Sequence, residues 1–187
     1  AANNEVHCPP EVFAPAFRFL RNFKSQEFAK ESMFLPPVSP RLSATYHVGE
    51  DFLDIASALR AIDETIEFLD YRRGDRLGHA LGLGIAPEVH YAKKGSRIFM
   101  PKQQRLDDLV WLLYRGRELG THIDPHMYGL LKKEAEILLL EIYGDVIRNN
   151  RWMITLTEYH CCMQLRGDDP SFCLLYTSPS PRDRSLS

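Results

Sequence analysis

The amino-acid sequence predicts an α/β fold with parallel strands joined by helical crossovers. One observation is the order helix, strand, helix, strand over the first half of the chain, an alternation that implies right-handed βαβ connections. A second is a single clean apolar face, because Phe52, Ile55, Leu59, Ile62, Ile66 and Leu69 recur at steps of three and four. The third is that each strand candidate, LSATYHV and DRLGHAL, places a His near its C-terminal end. That is the end where ligands bind in barrels and open parallel sheets alike.

The elements follow in order. Pro9 and Pro10 precede EVFAPAFRFLRNF, where Val12, Phe13, Ala16, Phe17 and Leu20 repeat at helical spacing. Pro10 suits a first helical turn, and Pro15 either stays within that turn or kinks the helix. FLPPVSPR reads as a Pro-rich connection and LSATYHV (42–48) as a strand that Gly49 breaks. Asp51 is a capping residue for a helix over Asp51–Asp70, and Gly74 ends the unit. Asp75–Leu81 is the second strand, with the Gly-rich turn GLG after it.

Beyond Pro87 the character changes. RIFMPKQQ (97–104) reads as a short strand or extended segment. Leu106–Leu119 reads as a helix with Leu109, Leu112 and Leu113 on its face. Asp124 and Pro125 form a cap and first-turn pair. The helix they start carries Leu130, Leu131, Ile137, Leu138, Ile142 and Tyr143 and stops at Gly144. Asp145–Arg166 reads as helical, although Ile154, Thr155 and Thr157 disfavour it.

With 187 residues the chain is long enough for a domain with a real core, and a net charge of −2 gives no electrostatic case for binding nucleic acid or an anionic membrane. No apolar run approaches the roughly 20 residues of a membrane span. The four Cys form no C-x-x-C pair and read as thiols of a reducing compartment, so a cytoplasmic location is expected. The expected division is 1–86 as an α/β unit, 87–172 as a mostly helical unit, and 173–187 as a non-native tail. That tail is rich in Ser, Pro and Arg, and CLLYTSPSPRD resembles the translation of a transposase-type sequencing adapter. Together with a start at Ala1, this leads to the expectation that the chain is a fragment.

The chemistry concentrates at TYHVGED (45–51) and GHA (78–80). A strand-terminal His47 offers an imidazole to Zn²⁺, and Glu50, past the Gly turn, can face the same pocket. His79 adds a third polar group at the same mouth. Together they suit attack by an activated water, with a metal ligand, a general acid, and a base or oxyanion stabiliser. Two other readings stand beside this one. HVGED also fits a solvated strand-to-helix turn, with Glu50 and Asp51 complementing the helix dipole. GHA also fits a hydrogen-bonded structural His. His90, His122, His126 and His160 read as structural or surface residues. Adjacent Cys161 and Cys162 on a helix point to different faces, which argues against a zinc site there.

HVGE and RLGH, separated by one amphipathic helix, resemble the adenosine deaminase family. This is a metal-dependent branch of the amidohydrolase superfamily with a (β/α)₈ TIM-type barrel. Its fifth strand ends in H-x-G-E and its sixth in R-[IL]-G-H. The resemblance covers roughly Val12–Ile85. It implies that His47 is a zinc ligand, that Glu50 protonates the purine ring nitrogen, and that His79 orients or deprotonates the attacking water. The substrate implied is a purine nucleoside or nucleotide, and the products are an inosine-type base and ammonia. The helical part, 87–172, would be an insertion, as in a large bacterial branch that includes a phage-defence deaminase, or else a continuation of the barrel. That branch suggests a homo-oligomer, although the apolar faces around Trp111 and Leu138–Leu140 are expected to pack on the barrel instead.

The chain departs from the family pattern in several places. It has no H-x-H, the first-strand pair of metal ligands, and Ala80 stands where the family has Gly. RGDDP is similar to the eighth-strand S-x-x-D-D-P. It follows the helical TEYHCCMQLR, however, so Asp168, Asp169 and Pro170 read as the start of another helix rather than as a metal site. With so few ligands the fragment is expected to be inactive, and its unpaired sheet edges are expected to make it behave poorly in isolation. The alternatives are an AMP deaminase or another amidohydrolase, or a non-catalytic scaffold that retains the barrel.

Overall fold

The computed structural model describes residues 8–22, 43–95, 97–120, 123–150 and 154–168. It is a mixed fold, mostly helical, with two parallel strands among the described residues. The order is α1 (Pro10–Asn22), β1 (Thr45–Val48), α2 (Ile55–Phe68), β2 (Arg76–His79), a 3₁₀ turn (Leu81–Leu83), α3 (Pro87–Lys93), α4 (Lys102–Glu118), α5 (Pro125–Asn150) and α6 (Leu156–Leu165). No closed barrel forms from these elements. His122 and Asp169 through Ser187 lie outside the described residues.

β1 and β2 pair in register, with Thr45 opposite Arg76 and His47 opposite Gly78. The crossover α2 buries Ile55, Ala58, Ile62, Thr65 and Phe68, the spacing of one helical face. Ile66, which the sequence period includes in that face, is 45% exposed. The helix also starts later than expected, because Asp54 rather than Asp51 is its N-cap and accepts from the Ala56 N–H at 3.0 Å. The turn 49–54 is thereby left free of the helix and carries Glu50 and Asp51 on its surface.

On the outer side of the pair, α1 packs through Ala14 on Phe68 and Leu69, with Phe17 and Tyr46 against them. Pro15 is accommodated inside α1. Asp75 ties the far end together: its carboxylate accepts from the N–H groups of Ala44 and Arg72 and from Arg21. Burial raises the Asp75 carboxyl, but these three donors outweigh it and hold it at about 2.

The helical unit has its own core, in which Leu106, Leu109, Val110 and Leu113 meet Ala135, Leu139 and Tyr143 of α5 and Leu156, Tyr159 and Met163 of α6. Each Leu, Val or Met among them contributes about 1.5–3 kcal/mol when fully buried. Three sequence expectations are corrected here. Arg97–Pro101 forms no strand, and Lys102–Gln104 open α4. α5 does not stop at Gly144 but continues to Asn150, because Tyr143 is buried and Ile147 packs on the same core. Ile154 and Thr155 are not helical. Thr155 caps α6 in a capping box with Glu158, whose backbone N–H it accepts at 3.2 Å.

α2 and α4 are joined by ionic and polar bonds. Arg166, just after α6, is 2% exposed and grips Asp107 with a bidentate fork at 2.9 and 3.0 Å. The Tyr159 hydroxyl also donates to Asp107. Arg60 of α2 reaches Asp108 at 2.8 Å and Glu64 at 2.9 Å, and Ser57 donates to Asp108. Burial raises the Asp107 carboxyl, but Arg166 and Arg60 outweigh it and hold it below the ordinary carboxylate value. The apolar face around Trp111, expected to pack on the barrel, packs against the helical core instead, and the Trp111 Nε1–H reaches α2, donating to Asp63 at 2.9 Å. Leu138 packs partly and Leu139 fully within the helical core, whereas Leu140 is 61% exposed.

Candidate functional site

The two strand ends bring His47, Glu50 and His79 together. One potential ligand atom from each lies within 4.8 Å of the others. His79 Nε2 stands 3.3 Å from a Glu50 carboxylate oxygen, and the His47 and His79 rings are 4.9 Å apart between centroids. His79 and Glu50 are about 40% exposed, so the cluster opens to solvent.

Local backbone chemistry sets this arrangement. Side chains alternate along β1, so Tyr46 and Val48 face the helices while His47 faces the other side. Opposite it stands Gly78, where an added Cβ would come within 3.0–3.2 Å of His47; the lack of a side chain leaves room for the ring. Gly49 turns the chain at φ 71° directly after β1, and its missing Cβ leaves space for Ile62.

At the end of β2 two successive residues, its last residue His79 at φ 64° and Ala80 at φ 47°, have positive φ. The Ala80 N–H donates to Val48 O at 3.0 Å, which clamps this turn to β1. A non-Gly residue in that region costs about 1–2 kcal/mol. Ala80→Gly is therefore expected to raise stability by about 1 kcal/mol, measured by denaturant melts. An unchanged or lowered midpoint would show that the turn is unstrained.

A cleft of about 290 Å³ lies beside the cluster, not over it. Tyr46, His47, Phe52, Leu53, Ala58, Glu64 and Gln104 are among its walls, and of the three clustered residues His47 alone borders it. His90 is structural, as expected: it stacks on Phe52 and its Nε2 lies 3.0 Å from Leu53 O. His126 is exposed, and His160 stacks on Tyr114 with its pKa lowered mainly by burial. Asp168 is in a turn after α6, where it pairs with Arg18 and takes no part in the cluster. Cys8, Cys161 and Cys162 are free thiols. No described helix is long and apolar enough to cross a membrane.

Sequence reasoning missed the residues that hold the cluster's walls. α3 braces the turn carrying Glu50, with Lys94 Nζ bonded to Phe52 O and Leu53 O and Tyr91 donating to Asp54. The only signal was Pro87 at a helix start. Compared with known proteins, the chain matches no family model and no curated sequence.

Proposed function

We propose that the chain carries part of the site of a zinc-dependent hydrolase of the adenosine deaminase type. The substrate is a purine nucleoside or nucleotide, deaminated at C6 with release of ammonia. On this reading β1 and β2 are adjacent strands of a (β/α)₈ barrel, the fifth and sixth, α2 is their crossover, and α4–α6 are an insertion. The observation that carries the reading is the convergence of His47, Glu50 and His79 from the ends of two neighbouring parallel strands.

His47 fits the metal, since imidazole nitrogen is an ordinary Zn²⁺ ligand and His47 stands in a cluster that could hold an ion. Zinc, when bound, supplies Lewis acidity that makes water a nucleophile near neutral pH. His47 would hold it. Glu50 would hand its proton to the purine ring nitrogen while water adds at the neighbouring carbon. His79, within reach of Glu50, would orient that water or take its proton.

In the protein that carries this chain, Glu50→Gln is expected to leave zinc bound and to lower deamination by about 10²–10⁴-fold, because the amide cannot transfer the proton. Ammonia release from adenosine and from AMP, with zinc content measured in parallel, checks this. Undiminished deamination would remove Glu50 from the role.

A further inference from the structure

We propose that Gly82 is a positioning residue for the His47–Glu50–His79 cluster, an inference that rests on the metal-site reading above. Gly82 is buried in the 3₁₀ turn three residues after His79. Its N–H donates to Gly49 O at 3.1 Å, and Gly49 immediately precedes Glu50. One hydrogen bond thus joins the turn bearing His79 to the turn bearing Glu50.

The seat for that bond is α2. A Cβ on Gly82 would stand 2.6 Å from the Ala58 Cβ, a distance real Cβ atoms do not adopt, while the next nearest atoms are at 3.8 Å. Ala58 is 1% exposed, and its methyl has no rotamer through which to move away. Any side chain at position 82 therefore lifts the turn from α2. The lift acts on His79 and Ala80, whose positive-φ backbone is held by this turn's bonds to Val48 of β1 and to Gly49 just after it. Gly82 touches no reacting group and acts through the turn alone.

The obstruction is a single atom, so the test is a rescue. The 187-residue chain, Gly82→Ala, Ala58→Gly and the double variant are compared by the nuclear Overhauser effect between the His47 and His79 ring protons, without metal. Cobalt(II) affinity is measured alongside. Wild type is expected to show the ring contact, Gly82→Ala to lose it, and the double variant to regain it. Cobalt(II) affinity is expected to fall about 10–100-fold and recover in step.

A Gly82→Ala chain that melts earlier but keeps the ring contact would overturn the proposal, since Gly82 would then serve stability alone. A double variant that is folded without the contact, or that fails to fold, would also overturn it, since Ala58 would not be the obstacle. If wild type shows the contact but binds no cobalt(II), the metal reading fails while the positioning role of Gly82 is still decided by the rescue.

Discussion

Asp107→Ala is expected to destabilise the protein by about 3–5 kcal/mol, because it removes the carboxylate that both arms of the buried Arg166 guanidinium grip. That is a large part of the roughly 5–15 kcal/mol by which a domain is stable. The loss does not stop at one ion pair. The Tyr159 hydroxyl donates to the same carboxylate and sits against Gln103, which in turn accepts from Tyr143 at 2.6 Å. The change therefore unsettles α4, α5 and α6 together. Thermal melts should show a drop on the order of ten degrees. Replacing both partners, Asp107→Leu with Arg166→Met, should recover most of the loss, because the cost lies in a buried charge that has lost its bidentate partner and not in a missing attraction. If the double variant is as unstable as Asp107→Ala, the fork itself supplies the stability and this account of the network is wrong.

Stability is also expected to fall as pH rises from about 4.5 to about 7, and Glu64→Gln is expected to flatten that slope. Burial pushes the Glu64 carboxyl up to about 7, against the pull of Arg60, and Glu11 and Asp107 push the same way. The folded state then holds a proton that the unfolded chain has already released, so raising the pH through this window favours unfolding. The slope is at most about 1.4 kcal/mol per pH unit for one group. Asp108, also raised chiefly by burial, adds in the same direction. Asp75 and Asp107 are lowered, and their contribution is lost only at more acidic pH. Denaturant melts at pH 5 and pH 8 for wild type and Glu64→Gln check this. An equal slope in both proteins would place the titrating group elsewhere.

The parallel pair and its crossover were legible in the sequence because Ile55, Ile62 and Leu69 mark one helical face and the strand candidates are bounded by Gly. The start of α2 was not, because Asp51 and Asp54 are equally good caps on paper and only the fold of the 49–54 turn selects between them. Gly144 reads as a stop, but a helix ends at Gly when the chain needs positive φ, and packing of Tyr143 and Ile147 carries α5 past it. The buried network was invisible for a different reason. Asp107 and Asp108 look like a polar face, and the cations that bury them, Arg166 and Arg60, are 59 and 48 residues away. The cluster residues were legible because His47, Glu50 and His79 sit at strand ends. What holds them in place was not, since GLG reads only as a turn until the Cβ of Ala58 is placed beside it.

The proposed metal site is tested most directly by titrating cobalt(II) into the 187-residue chain and into His47→Ala, following the visible absorption bands of the bound ion. The account predicts one site in wild type and its loss in His47→Ala, with the fold of the variant intact by circular dichroism. Equal binding in both proteins, or none in wild type, would contradict it and leave TYHVGED as a solvated turn between a strand and a helix.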